Sequence, residues 1–279
     1  MNNILEVKDL CKNYNAFSLK NVNFSMPKGY IMGFIGPNGA GKTTTIKSIL
    51  DMIHRDGGDI RLFGQSLSAA DAQMKNLIGV VMDSPFYVDD WHVKDVEAAL
   101  APFYTGWDSA AFAEHLKKFN IAQNKKVKEL SRGMKVKLML AVALSHGAKL
   151  LILDEPTSGL DPVARDELMD FLGEFITDEN NGVLFSTHIT SDLEKVADYI
   201  TFIINGEIEF SGEKDALLEK YMLVKGGMDE LSAVQKKYII GLREHGFGFE
   251  GLAKTDDIKN LPQTLSYEKT TMDEIIVYI

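Results

Sequence analysis

The stretch that most constrains this chain is Gly36-Pro37-Asn38-Gly39-Ala40-Gly41-Lys42-Thr43, with Thr44 behind it and the apolar run Ile31-Met32-Gly33-Phe34-Ile35 in front. The spacing G-x-x-x-x-G-K-[ST], set between a strand-like run and helix-forming residues, is the context that a phosphate-cradling loop requires. Glycines at 36, 39 and 41 open backbone conformations closed to other residues and let the main chain approach a ligand. The turned-in N–H groups and the N-terminus of the following helix make a concave site for anionic oxygens. Lys42 is placed to reach the β- and γ-phosphates, and the Thr43 hydroxyl to take a Mg²⁺ position. An incidental Lys-Thr pair in a glycine-rich turn would not call for both flanks. The loop therefore predicts binding of a nucleoside triphosphate through Gly36 to Thr44.

The remaining composition narrows the partners. At 279 residues the chain has room for one large domain and an appendage. Its net charge of −10 lacks the basic footprint of a nucleic-acid binder. Cys11 is the single cysteine, so no intrachain disulfide can form and a reducing compartment is expected. The opening MNNILEVKDL has no long apolar core of a signal peptide, and no run approaches the roughly 18 apolar residues of a membrane span. A soluble cytoplasmic protein is the expectation.

Along the chain, residues 4–10 and 18–26 alternate as strands, and Pro27-Lys28-Gly29 turns the chain toward the strand before the loop. Thr44 to His54 has helical spacing, and Asp59–Phe63 and Ile78–Met82 read as short strands, so the first part suggests an antiparallel sheet against a nucleotide-binding core. From about 84 to 148 the pattern turns helical, over 93–103, 109–119 and 134–145, with Trp91 and Trp107 as core anchors at the helix edges. Leu150-Leu-Ile-Leu153 is apolar throughout, as expected of a strand covered on both faces of a parallel sheet. Pro162 opens a helix, 183–186 forms another buried strand, Ser191 to Glu194 reads as a capping box, and Asn205-Gly206 joins two strands as a hairpin. The alternation gives an α/β fold: a P-loop core with a mostly parallel sheet, an antiparallel β-subdomain, a helical subdomain and a small C-terminal α+β appendage. The domain boundaries expected are 1–212 and 213–279. Helices over 213–221 and 272–278 and short alternating runs near 238–242 and 246–252 make up the appendage.

Asp154-Glu155 closes the apolar strand. A carboxylate at a strand's C-terminal edge, beside a phosphate loop, can hold Mg²⁺ directly or through water, and the next carboxylate can polarise an attacking water. Two acids after a strand mean little alone. Beside the loop, and followed by Pro-Thr-Ser-Gly-Leu-Asp161, they point to nucleotide hydrolysis.

With these residues in view, the chain over about 3–212 resembles the ATP-binding subunit of an ATP-binding cassette (ABC) transporter. Leu130-Ser131-Arg132-Gly133-Met134 is similar to the family's Leu-Ser-Gly-Gly-Gln signature. The resemblance implies that Ser131 and Gly133 reach the γ-phosphate held by a partner subunit's loop. A Ser hydroxyl, a bare Gly N–H and a helix N-terminus suit that role. By the same resemblance, His188 is the switch histidine that orients Glu155 as base, Asp161 couples two sites across a dimer, and Tyr14 stacks on adenine. ATP and Mg²⁺ are the implied ligands. An integral-membrane permease subunit and a homodimer or heterodimer of ATPase subunits are the implied partners, with no nucleic acid. The chain would sit peripherally on the inner face of the cell membrane, energising transport, with export favoured. The rival readings are a soluble ABC ATPase of translation or DNA repair, and a P-loop kinase or GTPase.

Two departures stand out. Asp83 occupies the place of the family's Gln that senses Mg²⁺ and water, and is expected to remain a site residue that meets the metal. Arg132 replaces a signature glycine and is expected to point to solvent, while Met134 stands in place of the Gln.

Overall fold

In a computed structural model of the chain, residues 3–67, 72–83, 85–232 and 235–279 are described. The first elements are β1 (Asn3–Asn13), β2 (Ser18–Pro27), β3 (Ile31–Ile35), α1 (Lys42–Ile49), β4 (Gly57–Leu62), β5 (Gln65–Ser66), α2 (Ala72–Lys75) and β6 (Ile78–Val81). Three helices follow, α3 (Val93–Leu100), α4 (Ser109–Lys118) and α5 (Arg132–Ser145). The chain then alternates through β7 (Leu150–Asp154), α6 (Pro162–Phe175), β8 (Gly182–Thr187), α7 (Thr190–Val196), β9 (Tyr199–Ile204) and β10 (Glu207–Glu213). It ends with α8 (Lys214–Lys220), β11 (Tyr221–Gly226), β12 (Ile240–His245), β13 (Gly248–Lys254), β14 (Ser266–Lys269) and α9 (Met272–Tyr278). These form two compact units, one running to His188 and including Lys195–Ser211, the other comprising Ile189–Glu194 and Gly212–Ile279.

In the first unit, β2-β1-β4-β5 form an antiparallel sheet, and β10-β9-β3-β8-β7-β6 form the core sheet, with β9, β3, β8, β7 and β6 parallel. All five residues of β3, all five of β7 and all six of β8 are buried, which is why β3, residues 150–153 of β7 and residues 183–185 of β8 are apolar; the buried polar residues Asp154, Ser186 and Thr187 stand at the ends of the latter two strands. The two sheets share one core: Phe24 of β2 stacks on Phe34 of β3 with ring centroids 5.6 Å apart. This fixes β3, and so the loop at its end, between two packed layers.

The strand at 78–82 is real but belongs elsewhere. β6 pairs in parallel with β7, Val81 opposite Leu153, and is an edge of the core sheet rather than part of the antiparallel one. Its apolar residues are covered on both faces by the core and by α5, a tertiary fact that spacing does not carry. Helix α1 also ends at Ile49 instead of running to His54, because Asp51 takes a left-handed φ of 56°. Between 85 and 149 the described residues form helices and turns as expected, joined by one isolated bridge, His92 to Lys126. Phe112, Leu116, Val96 and Leu138 centre that helical cluster, with Trp91 and Trp107 packed against it, half-buried as anchors. Ser84, its expected first residue, lies outside the described residues. The hairpin at Asn205-Gly206 forms with φ of 47° and 81°.

The second unit is a four-stranded antiparallel sheet, β12-β13-β11-β14, over a core of Val224, Phe249, Leu261 and Leu265. Strands β11 and β14 were not foreseen in the sequence. Helices α8 and α9 lie where expected. Ser191 is not a helix cap: it lies inside α7, and the Glu194 carboxylate accepts from the Met272 N–H at 3.2 Å instead of reaching back. The Thr190 hydroxyl donates to Asp273, tying the same segment to α9.

Candidate active site

The loop from 36 to 41 carries β3 into α1; Gly36 and Gly41 leave no room for a Cβ, and Gly39 holds a left-handed φ of 80°. A Cβ on Gly36 would stand 2.2 Å from the Ile203 carbonyl oxygen; one on Gly41, at φ 116°, would stand 2.6 Å from Leu19 and 2.8 Å from Phe17. Lys42 opens α1 and is 6% exposed. Its ammonium donates to the Gly36 carbonyl at 2.8 Å and pairs with Glu155 Oε1 at 3.3 Å. A buried lysine satisfied by its own loop and one carboxylate is a cation ready to change partners.

Register explains the acids. β7 lies parallel to β8 with Asp154 opposite Ser186. Asp154 is 3% exposed, and each of its oxygens accepts a hydroxyl hydrogen: Oδ2 from Thr43 at 2.8 Å, Oδ1 from Ser186 at 2.7 Å. Glu155 follows with a left-handed φ of 51°, a conformation a non-glycine residue holds only where its surroundings fix it. Its N–H donates to the Ser186 hydroxyl at 3.1 Å, and its Oε2 meets His188 Nδ1 at 2.7 Å. The turned backbone aims the Glu155 carboxylate between Lys42 and His188.

Lys42, Thr43, Asp154, Glu155 and His188 line one cavity of about 840 Å³, with Asn38, Gly39, Gly41, Thr44, Asp83 and Ser158; Gly36, Pro37 and Ala40 of the loop, and Ser186 beside Asp154, do not line it. Its size is in the range of small-molecule sites. Of the residues expected at the site, Tyr14 is 49% exposed, with the Lys12 ammonium 5.3 Å from its ring centre, and does not line the cavity. Ala16, Phe17 and Asn205 do. Phe17, an aromatic three residues on from Tyr14, carried no motif and was missed, as was Ser186. Ser131, Gly133 and Asp161 do not line the cavity of their own chain either. Ser131 caps α5, its hydroxyl accepting from the Met134 N–H at 3.3 Å, and Asp161 caps α6, accepting from the Ala164 N–H at 2.9 Å. Arg132, expected from the sequence to point to solvent, instead pairs with Asp83.

Asp154 is a buried carboxylate whose partners are two hydroxyls, with no cationic side chain paired to it among the described residues. A carboxylate and a hydroxyl within 2.8 Å of each other, beside a phosphate loop, suit a hard cation that takes its remaining ligands from water and phosphate. The residues fit Mg²⁺.

A phosphate loop at the head of a parallel sheet, with an acid pair at the end of β7, separated from β3 by β8, defines a P-loop nucleotide-binding protein. Comparison with known proteins carries this further. The family model described as "ABC transporter" matches residues 19–158. The lantibiotic transport ATP-binding protein SrtF of Streptococcus pyogenes is 34% identical over 215 residues, 76% of this chain and 92% of that protein. The bacitracin transport ATP-binding protein BcrA of Enterococcus faecalis is 30% identical, over 75% of this chain and 68% of its own. A solved ATP-binding subunit of an ABC transporter superposes with a TM-score of 0.69 at 29% identity, covering 77% of this chain and 91% of that one. The chain belongs to the ABC transporter family and is an ATP-binding, ATP-hydrolysing subunit of it.

Proposed function

We propose that this chain is a cytoplasmic ATPase that energises an integral-membrane permease, docking peripherally on its inner face, and that the pair exports its cargo. The observation that carries the hydrolytic part is the row Lys42–Glu155–His188, in which one carboxylate lies 3.3 Å from the lysine and 2.7 Å from the histidine. On entry of a triphosphate, Lys42 exchanges the Gly36 carbonyl for phosphate oxygens. Glu155 is then free to take a proton from the attacking water, while His188 holds its other oxygen in place. Thr43 and Asp154 would hold Mg²⁺, which would neutralise charge on the phosphates, and Asp83 lines the same cavity. Tyr14 or Phe17 would meet the base. Ser131 and Gly133 of a second ATPase subunit would complete the site, with Asp161 coupling the two halves.

Transport is supported by the relatives' names, and export by their cargo, since lantibiotics and bacitracin are transported by SrtF and BcrA. Among the described residues no helix is long and apolar enough to cross a membrane, so the membrane path is assigned to a separate partner. The test is affinity purification of the chain from its native membranes in mild detergent. The expected result is a stoichiometric multi-span membrane protein and ATPase activity in the eluate. Recovery with soluble proteins only, with ribosomes or with DNA would overturn the transport reading.

A further inference from the structure

The two departures from the family pattern meet in space. Arg132 Nη2 donates to Asp83 Oδ1, although the residues lie 49 positions apart. The rest of the Arg132 side chain is held too. Gly159, between β7 and α6, has φ of 69°, and a Cβ there would stand 3.2 Å from Arg132 Cδ and 3.6 Å from Cζ. The arginine therefore lies across the bare backbone of Gly159. One side chain joins three segments: the first turn of α5, the loop after β6, and the loop that carries Ser158 to the cavity.

Charge gives this junction a purpose. Asp83 lines the same cavity as Lys42, Glu155 and His188. It also borders a second cavity of about 470 Å³ together with Arg132, Tyr87, Asp89 and Lys135. A carboxylate at this wall repels an incoming polyphosphate; an amide would not. Lys135 is engaged more loosely with Asp89, at 3.9 Å, so Arg132 is the cation that meets Asp83. Both side chains of the pair are substantially exposed, 40% for Arg132 and 57% for Asp83, and as a surface ion pair it adds little to folding stability. Its effect falls on the ligand.

We propose that Asp83 and Arg132 act as one positioning unit: Arg132 neutralises the Asp83 carboxylate so that the triphosphate can enter, and clips the loop after β6 and the Gly159 loop to the start of α5. Neither residue reacts. The inference rests on the ATP-binding reading of the cavity.

The test is a mutant cycle read by equilibrium binding of a fluorescent ATP analogue and by ATPase kinetics. R132G leaves Asp83 uncompensated and is expected to raise the nucleotide Kd and KM about tenfold, with a smaller change in kcat. Because the penalty is electrostatic, it should shrink as salt rises from 50 to about 500 mM. The double variant D83Q/R132G, which removes both charges, is expected to return Kd to within about twofold of wild type. R132K, which keeps charge without the planar guanidinium, should fall between wild type and R132G. Rescue by D83Q is the outcome a merely structural role for Arg132 would not produce. An R132G Kd within twofold of wild type, or a double variant as weak as R132G, overturns the proposal. Should R132G fail to fold, R132Q replaces it in the same cycle. Wild-type chain that binds no ATP would overturn the ATP-site reading instead, whereas wild-type binding without coupling sinks only the pair.

Discussion

Ser186 on β8 donates its hydroxyl hydrogen to Asp154 on β7 at 2.7 Å, and the same oxygen accepts the Glu155 N–H at 3.1 Å. One side chain thus orients both acids of the site. It turns the Asp154 carboxylate so that Oδ2 faces Thr43, 2.8 Å away. Partners of this kind, one bond removed from a metal, commonly change its affinity by about 10–100-fold. Ser186→Ala is therefore expected to raise the Mg²⁺ concentration for half-maximal ATPase activity at least about tenfold. Nucleotide binding without metal should stay near wild type. A magnesium titration decides it: an unchanged midpoint would remove Ser186 from the metal's support.

Glu155 shares its carboxylate between Lys42 and His188. Glu155→Gln keeps the length and the His188 contact but cannot accept a proton from water. The expected fall in kcat is about 10²–10⁴-fold, the usual scale for a general base. ATP affinity should hold or tighten, since the neutral amide no longer opposes the γ-phosphate, and ATP-bound dimer should accumulate. Single-turnover hydrolysis and size-exclusion with ATP measure the two effects. Turnover at the wild-type rate would refute Glu155 as the base.

The parts of this fold that the sequence announces are those where one local requirement forces the residues. A loop that wraps phosphate must have glycines where a Cβ would strike Ile203 or Leu19, and a strand covered on both faces must be apolar where it crosses the core, as residues 150–153 of β7 are ahead of Asp154. Relations set by distant packing were not legible. The partnership of β6 with β7 depends on α5 covering it, and nothing in Ile78 to Val81 distinguishes an edge of one sheet from an edge of another. Strands β11 and β14 lack the alternation of a half-buried strand: β11 opens with four apolar residues in a row, Tyr221 to Val224, and β14 is four residues long and mostly polar, tied to β11 by the ion pair of Lys225 with Glu268 at 2.8 Å. Arg132 looked solitary because its partner is 49 residues away. The Ser191–Glu194 spacing imitated a capping box, but Glu194 had a better donor in the Met272 N–H.

That last exchange bears on the C-terminal unit. Segment Ile189–Glu194 belongs to this unit although it begins directly after His188. Thr190, 4% exposed, donates to Asp273, and Lys214 donates to the Glu194 carbonyl at 2.9 Å. Thr190→Val keeps the shape and deletes the donor, leaving Asp273 without that bond. A loss of about 1 kcal/mol is expected, corresponding to amide exchange roughly fivefold faster across 272–278. Hydrogen exchange followed by mass spectrometry reads this directly. Unchanged protection of α9 would show that the bond contributes nothing to its docking.

His146, at the C-terminal end of α5, gives the chain a pH dependence whose sign can be worked out. It is buried, stacked on Tyr104 with ring centroids 4.1 Å apart, and its Nδ1–H donates to the Asn76 carbonyl at 2.9 Å. Burial disfavours the imidazolium and holds its pKa below the ordinary histidine value of 6.5; the bond to Asn76 acts in the opposite sense and is the weaker influence. The unfolded chain therefore takes up the proton first as pH falls. Stability from this residue is fully present above about pH 6.5 and is lost below it, down to the folded value, at no more than about 1.4 kcal/mol per pH unit. His146→Phe keeps a ring against Tyr104 and removes the titration. Urea unfolding of both proteins between pH 7.5 and 5 is expected to show wild type losing stability faster than the variant below pH 6.5. Parallel curves across that range would mean that His146 is protonated as readily in the fold as outside it.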